Sequence, residues 1–469
     1  MLFHDSGHGS GRRVTASTRP GFLNRRIPNT EQSKGRWGFQ DTESTGPPSP
    51  ALGPCFQRIS REDVVAKVGS EKPKAVISDC KDVGSYNWID DNGQHTVMIP
   101  GMPPAWTPLE TPTPLNEDAG QFFRDPNAAR HPDFPIEPAY RAIFAHDKSF
   151  AMEEVDIFAC GSTLGNLLRF VRKVDKPFRF TAEVVGRTVF FVRRENTPTE
   201  TIEGVRGYGH TFPEAYTTWE GDTAGSQSHQ RLVNYDFAGL NSIVRFESDG
   251  YLKHLQTTSA PEEGRYVISK GARTSQTTIK AGGHVVSQDA VFDLKTRSVK
   301  RKGHDVLGDE IGRLWITQTP NFVLAYHDRG LFNDVHVQDV RREIQEWEAE
   351  NQDSLTQLAA VIRRIVEIAK DTDAGRVEIR RHEGDMLEIH EQLPDAPRPL
   401  PPTLLESWAA KRASDDSSDE ILSEDGEEGY FLGDSDDGGG VLFNSDDDSD
   451  QDYTACSAED CGYCGHCRY

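Results

Sequence analysis

Three short polar segments of this 469-residue chain contain side chains that could do chemistry together. They cover residues 207–214, 244–251 and 291–297, and their composition is typical of β-strands. Side chains two positions apart in a strand lie on the same face. Glu247 and Asp249 are therefore expected to lie together.

The third segment contains a second pair with the same spacing, Asp293 and Lys295. Placed beside Glu247 and Asp249, this pair would surround a divalent cation with three carboxylates and one ammonium group. Carboxylate oxygens are the ligands that Mg²⁺ and Mn²⁺ prefer. The ion would activate a bound water, and the lysine would offset charge on a phosphoryl group. The alternative is that these are solvated charges on the faces of strands.

The surrounding sequence predicts the elements that would position these side chains. Alternating apolar residues and central turn signals predict four antiparallel hairpins. Their paired segments are Phe178–Val185 with Arg187–Arg194, Arg231–Phe237 with Ser242–Tyr251, Asn321–Tyr326 with Leu331–Val337, and the two halves of Val377–Ile389.

Helical patterns lie between and after these hairpins. Apolar residues at positions 355, 358, 362, 365 and 366 predict an amphipathic helix over Leu355–Ala369. Shorter helices are predicted at Glu137–His146, Leu164–Val171 and Val340–Glu350. Strands mixed with flanking helices predict an α+β fold with a central mixed β-sheet.

Composition excludes several classes of protein. No apolar run approaches the length of a membrane span and no apolar signal segment begins the chain, so we expect a soluble intracellular protein without a membrane partner. Cys55, Cys80 and Cys160 are scattered, which does not resemble a secreted disulfide framework. The net charge of −23 comes mainly from residues 413–469, which contain 18 acidic side chains and one base. The remaining 57 acidic and 51 basic side chains leave a net charge of −6.

The polar segments also resemble a known family. Gly-Tyr-Gly-His at 207–210, Phe-Glu-Ser-Asp at 246–249, Asp-Leu-Lys at 293–295 and Trp-x-x-Gln at 315–318 are similar to motifs of the decapping nucleases. These are DXO-like proteins with a PD-(D/E)XK-type nuclease core. Ser-Tyr-Asn-Trp at 85–88 and the segment 127–132 resemble a divergent fungal branch.

The resemblance implies a function, which is metal-dependent hydrolysis of RNA 5′ ends by a pyrophosphohydrolase or decapping nuclease. It implies that Glu247, Asp249 and Asp293 bind Mg²⁺ or Mn²⁺, that Lys295 is catalytic together with Asp293, and that Gln318 lines the site of the scissile phosphate. Arg297 is a candidate phosphate contact. An exoribonuclease partner and a location in the nucleus, the cytoplasm or both are further expectations.

Two positions depart from the family pattern. The metal-binding glutamate that should follow Phe212 is replaced by Pro213. Glu214 is the candidate fourth metal ligand, but it comes one residue late, about 100° around a helix. Gly161 stands where the family has an arginine that contacts phosphate. A catalytically degenerate member that binds RNA or an exoribonuclease is therefore the alternative.

The ends of the chain predict no folded domain. Residues 1–55 read as a disordered basic extension, 396–412 as a proline-rich linker and 413–455 as an acidic disordered tail, which leaves 56–395 as the nuclease-like domain. Residues 456–469 contain four cysteines that form either a zinc site or a reactive thiol cluster: Cys456, Cys461, Cys464 and Cys467. Asp446, Asp447 and Asp450 match a prenyl diphosphate synthase motif, an interpretation that we reject because the motif lacks its all-α context.

Overall fold

The structure of the protein is a computed structural model. It describes residues 47–67, 74–91, 94–202, 205–256, 278–382 and 384–409. These residues belong to one compact unit that begins at Pro47. The predicted acidic tail, the cysteine-rich terminus and most of the basic extension lie outside the described residues. In the described ranges, no helix combines the length and the apolar character that crossing a membrane requires.

Both strands and helices are present, as predicted. The strands are β1 Cys55–Ser60, β2 Ile77–Asp91, β3 Gln94–Gly101, β4 Ala105–Trp106, β5 Ile157–Cys160, β6 Phe178–Val185, β7 Thr188–Arg193, β8 Thr217–Thr218, β9 Ser226–Phe237, β10 Leu240–Glu247, β11 Gly250–Tyr251, β12 Thr278–Gly283, β13 Val291–Ser298, β14 Asn321–Asp328, β15 Leu331–Asp339, β16 Arg376–Arg381 and β17 Met386–Glu391.

The helices flank these strands. The α-helices are α1 Arg61–Lys67, α2 Pro126–Arg130, α3 Glu137–His146, α4 Gly161–Val171, α5 Thr211–Tyr216, α6 Val306–Thr317, α7 Arg341–Glu350, α8 Gln352–Asp371 and α9 Pro402–Ala409. Short 3₁₀ helices cover Met152–Glu154, Gly221–Thr223, Lys253–Leu255, Gln288–Ala290 and Val299–Arg301.

The strands form two mixed sheets, where the sequence predicted one. The first has eleven strands in the order β1-β17-β16-β6-β7-β5-β10-β9-β2-β3-β12, and the second has six in the order β15-β14-β13-β11-β4-β8. The four predicted hairpins all form: β6 with β7, β9 with β10, β14 with β15 and β16 with β17 are antiparallel neighbours. The predicted strand Ser242–Tyr251 is divided, because β10 ends at Glu247 and β11 joins the second sheet.

Helices cover both faces of the eleven-stranded sheet. Along β10, Val244 and Phe246 lie in the apolar cluster that includes α4, α6 and α8, whereas Ile243 lies in the cluster that includes α3 and α9. This alternation is what a strand buried on both faces requires. Helix α8 buries the apolar stripe that its sequence predicts, and Leu355 and Ile365 are fully buried.

The predicted linker 396–412 contains a packed helix. The α9 residue Trp408 is 3% exposed, and its Nε1 donates a hydrogen bond to Thr188 Oγ1 over 2.9 Å. Its ring centroid lies 5.1 Å from that of Phe190 and 6.1 Å from that of Phe158. The linker prediction is therefore wrong for residues 402–409, because Trp408 provides enough apolar surface to hold the segment on the domain.

Replacing Trp408 with alanine should lower the free energy of unfolding by about 3–5 kcal/mol, because the change empties a buried aromatic site. Urea denaturation followed by circular dichroism measures this change. The matched control is Phe56→Ala, since Phe56 is 46% exposed, and its effect should stay within about 0.5 kcal/mol. Equal effects of the two substitutions would show that α9 does not contribute to the stability of the domain.

Candidate active site

The side chains of strand β13 alternate between an apolar face and a charged face. Phe292 and Leu294 lie in an apolar cluster on one face of the six-stranded sheet. Asp293, Lys295 and Arg297 alternate with them and are also buried, with 5%, 3% and 5% exposure. A strand with charged side chains along a buried face needs partners for each of them.

Helix α6 supplies those partners. It begins at the capping residue Asp305, whose side chain accepts the Gly308 N–H at 2.9 Å. One turn further on, Glu310 and Arg313 extend from the same side of the helix. The Arg313 guanidinium donates to both carboxylate oxygens of Asp293, and its Nη2 also donates to Glu310 Oε2 at 3.1 Å. This forked contact fixes α6 against β13.

Lys295 and Arg297 complete the charge balance. Arg297 Nη2 lies 3.4 Å from Glu310 Oε1. Burial raises the pKa of the Glu310 carboxyl, but the charges of Lys295, Arg313 and Arg297 outweigh burial and hold this pKa below its usual value. Arg297, a predicted phosphate contact, is thus bound to a buried carboxylate.

Asp249 lies near the same charged side chains, although it belongs to a different segment of the chain. Its Oδ2 accepts the backbone N–H of Leu294 at 2.7 Å, and the side chain is partly buried. Loss of solvation and the negative charge of Asp293 raise the Asp249 pKa to about 7, against the lowering effects of Lys295, Arg313 and the Leu294 N–H. The structure therefore brings Asp249, Asp293 and Lys295 together, as the sequence predicted.

The reason for their proximity differs from the predicted one. Asp249 was expected to share a strand face with Glu247, but β10 ends at Glu247 and β11 begins at Gly250. Gly250 pairs with Phe292 of β13, so Asp249 lies where the chain passes from one sheet to the other. That placement directs it at β13.

Glu247 belongs to a neighbouring hydrogen-bond network. Its Oε2 accepts from Gln230 Nε2 at 3.1 Å, and Gln230 Oε1 accepts from Asn127 Nδ2 at 3.3 Å. Asn127 Oδ1 accepts from Tyr86 and Trp88 at 2.7 and 2.9 Å. The two segments that resemble the fungal branch thus meet behind Glu247 and fix its position.

The three predicted metal ligands do not form a closed coordination group. The described part of the chain contains one group of three side chains whose metal-ligating atoms all lie within 4.8 Å of one another. This group is Cys55, Glu388 and His390. Glu247, Asp249 and Asp293 do not meet this criterion. Of the three, Asp249 and Asp293 interact directly through their charges.

Glu214, the fourth predicted ligand, lies in the first turn of α5. It is exposed on α5, whose buried residue Phe212 lies in the same apolar cluster as Phe292 and Leu294. Helix α5 therefore covers the face of β13 opposite Asp293. The helix buries Phe212 and exposes Glu214, whose metal role stays a prediction.

Gly161 and Gln318 lie at helix ends. Gly161 is the first residue of α4, and a Cβ added there would lie 3.4 Å from Thr317 Cγ2 and 3.7 Å from Phe246 Cβ. The position that lacks the family arginine thus adjoins the ends of β10 and α6. Gln318 ends α6 with a φ of 51°, and its Nε2 donates to Trp315 O at 2.5 Å. Its phosphate contact stays a prediction.

Sequence reasoning missed Glu310 and Arg313. The available signal was the pair Glu310 and Arg313, three positions apart among the apolar residues of the helix before Gln318. Polar side chains at this spacing lie on one face of a helix. The apolar residues around them indicate a buried face.

Comparisons with known proteins give a family model and similar solved structures. The family model described as "Domain of unknown function (DUF8563)" matches residues 67–391. No curated protein matches the sequence. The similar structures include Rai1 from S. pombe, with 9% identity, 72% of this chain and 99% of that chain covered, and a TM-score of 0.47.

Two further similar structures contain manganese. Rai1 from Candida albicans in complex with pU5-Mn²⁺ has 11% identity, 76% and 99% coverage of the two chains, and a TM-score of 0.48. Dxo1 from K. lactis in complex with manganese has 10% identity, 73% and 97% coverage, and a TM-score of 0.40. All three structures are of the decapping nuclease family that the sequence motifs resemble.

The raised pKa of Asp249 predicts a pH-dependent stability. Between about pH 4 and 7 the folded protein binds more protons at Asp249 than the unfolded chain, so the free energy of unfolding should fall as the pH rises through this range. In the absence of divalent ions, the free energy of unfolding of Asp249→Asn should fall by about 1–3 kcal/mol less than that of the wild type. Denaturant unfolding from pH 5 to 8 measures it. Parallel pH profiles of the wild type and the variant would contradict the assignment.

Arg313→Met should lower the free energy of unfolding by about 3–5 kcal/mol, because it leaves the Asp293 and Glu310 carboxylates buried without this partner. The control Arg342→Met removes an arginine whose side chain is 76% exposed, and should cost less than about 1 kcal/mol. Adding Asp293→Asn to Arg313→Met should recover part of the loss. Additive costs in this double-mutant cycle would mean that the two side chains are not coupled.

Proposed function

The chain belongs to the family described as "Domain of unknown function (DUF8563)", and from its site we propose that it is a metal-dependent hydrolase of RNA 5′ ends. The observation that carries the proposal is the meeting of Asp249, Asp293 and Lys295, from two separate segments, on one face of the six-stranded sheet. The RNA 5′ end as substrate follows from the resemblance of the motifs to decapping nucleases. The reaction would be pyrophosphohydrolysis or decapping.

The side chains at the site suit a hard divalent cation. Asp249 and Asp293 offer carboxylate oxygens, and burial together with the repulsion between the two carboxylates raises the Asp249 pKa to about 7. A cation such as Mg²⁺ or Mn²⁺ would relieve this repulsion. Arg313 donates to both oxygens of Asp293, and each oxygen has a second lone pair for a metal. When bound, the ion would supply Lewis-acid polarisation of a phosphoryl group.

Lys295 would act directly on the substrate. Lys295 is 3% exposed, and its positive charge acts on the carboxylates of Asp249 and Glu310. A fixed positive charge in a site of low dielectric stabilises developing negative charge on a phosphoryl oxygen. Arg313 and Glu310 would hold Asp293 and Lys295 in place, so their role is positioning.

A second candidate function, RNA binding without turnover, has its own support. Glu214 is exposed, Gly161 offers no side chain, and Arg313 engages both oxygens of Asp293. A site with fewer free metal ligands and no arginine at position 161 would hold a phosphate without cleaving it. An exoribonuclease partner, and a location in the nucleus or cytoplasm, are proposals that rest on the resemblance alone.

Incubation of the purified full chain with 5′-triphosphate RNA and capped RNA, in Mg²⁺ or Mn²⁺, tests the proposal. Asp293→Asn and Lys295→Met should each lower the rate of 5′-end release by about 10²–10³-fold. Asp371→Asn and Lys370→Met, which change exposed residues at the end of α8, are matched controls and should leave the rate unchanged. Full activity in Asp293→Asn would place the chemistry elsewhere.

The same samples separate the two candidates. A wild type that yields no product with either ion, yet binds the RNA with an affinity that Lys295→Met reduces, would support the binding protein. Absence of both cleavage and binding would remove both proposals. Thermal unfolding of each variant shows whether a lost signal reflects a lost fold.

A further inference from the structure

We propose that Cys55, Glu388 and His390 form a metal site for a zinc-class cation, separate from the candidate active site. The three residues lie on β1 and β17, at one end of the eleven-stranded sheet, and four strands separate β17 from β10. Cys55 and His390 are paired across the two strands. Their ligating atoms and a Glu388 carboxylate oxygen all lie within 4.8 Å of one another.

The orientation of His390 supports ligation. Its Nδ1 lies 2.8 Å from the carbonyl oxygen of Gly53. A carbonyl only accepts, so Nδ1 carries the proton, and in the neutral ring Nε2 presents a lone pair. Proteins fix metal-binding histidines through this contact between the second ring nitrogen and a backbone carbonyl.

The Nε2 atom of His390 is buried without a hydrogen-bond partner among the described residues, and the residue is 6% exposed. A buried polar nitrogen in this state is costly unless something binds it. The Glu388 Oε2 atom lies 3.5 Å from it. Two ligands about 2.0–2.1 Å from a tetrahedral zinc ion lie roughly 3.3–3.4 Å apart. A small closing movement would therefore place both atoms in a coordination shell.

The donor set indicates the class of metal. Thiolate, imidazole and carboxylate together are ligands typical of zinc, whereas Mg²⁺ and Ca²⁺ prefer oxygen alone. Cys55 is exposed, and its Sγ makes a weak contact of 3.5 Å with the Gln57 carbonyl oxygen. Three protein ligands at the edge of a sheet leave the fourth position to water.

Two long ion pairs with arginines engage the Glu388 carboxylate. Arg58 lies 3.5 Å from Glu388 Oε1, and Arg380 lies 3.7 Å from Oε2. Both distances exceed that of a charge-assisted hydrogen bond, which is about 2.7–2.9 Å. The Arg58 side chain is also 57% exposed, so it can move away.

The consequence is a metal link between the edge strand β1 and the rest of the sheet. Edge strands have one neighbour, and β1 pairs with β17 alone in its sheet. A cation held by Cys55 from one strand and by Glu388 and His390 from the other would stabilise this pairing. Binding would release the proton of the Cys55 thiol.

Titration of the full chain with Co²⁺ after removal of metals with a chelator tests the site. The four C-terminal cysteines are first replaced with serine, and excess Mg²⁺ saturates sites made of oxygen ligands. We expect one Co²⁺ per chain with a thiolate-to-cobalt charge-transfer band, and displacement of Co²⁺ by one Zn²⁺. Cys55→Ser should abolish the band, and Cys80→Ser, which changes another exposed cysteine, should retain it.

His390→Asn tests the imidazole without removing the contact that holds it, because the asparagine amide can still donate to the Gly53 carbonyl. This variant and Glu388→Gln should weaken Co²⁺ binding at least 10-fold while the thermal unfolding of the metal-free protein stays unchanged. A missing band in the parent protein, a band that persists in Cys55→Ser, or equal Co²⁺ affinity in His390→Asn would overturn the proposal. The readout involves no enzymatic activity and is independent of the proposed function.

Discussion

The contact between Arg313 and Asp293 is the interaction on which the candidate site depends. Removing ionised side chains from water costs more than a single ion pair returns, unless each charge is matched and hydrogen-bonded. Here β13 contributes Asp293, Lys295 and Arg297 to a buried face, and α6 contributes Glu310 and Arg313. Because Arg313 bridges Asp293 and Glu310, the helix and the strand hold each other in register.

This constraint explains why the pKa of the Asp249 carboxyl is raised. With Asp249 included, three acidic and three basic side chains meet, but Asp293 and Glu310 already engage Arg313 and Arg297. Asp249 is left with the Leu294 N–H and with more distant positive charges, which do not offset burial and the repulsion from Asp293. Asp249 is therefore the carboxylate of the group that its positive neighbours compensate least. A cation that binds there gains the most from neutralising it.

Local sequence patterns were sufficient to predict the strands and helices but not how these elements pack together. The turn between Phe237 and Leu240, and the apolar stripe from Leu355 to Val366, each depend on residues close in sequence, so the hairpin and the helix could be predicted. Asp249 was placed on a continuous strand, because the exchange of sheets at Ser248 depends on pairing with β13, about forty residues further along the chain. Arg313 acquires its role only when α6 packs on β13.

Residue spacing located some candidate site residues better than others. Motif spacing identified Asp293 and Lys295 because a strand fixes the faces of alternate residues. For Glu214 spacing was insufficient, since the burial of Phe212 decides which side of α5 faces solvent. Two side chains one residue apart on a helix cannot substitute for one another, because they lie about 100° apart around its axis.

Any divalent ion at Asp293 has to coexist with Arg313. A guanidinium that donates to both oxygens of a carboxylate opposes a nearby cation, and the two positive charges repel each other more strongly in a buried site than in water. Phosphate oxygens also accept forked hydrogen bonds from arginine. A phosphate ligand would therefore compete with Asp293 for Arg313 and free the carboxylate for metal. In this site, binding of the ion and binding of a phosphate should each favour the other, because both draw on the same Asp293–Arg313 contact.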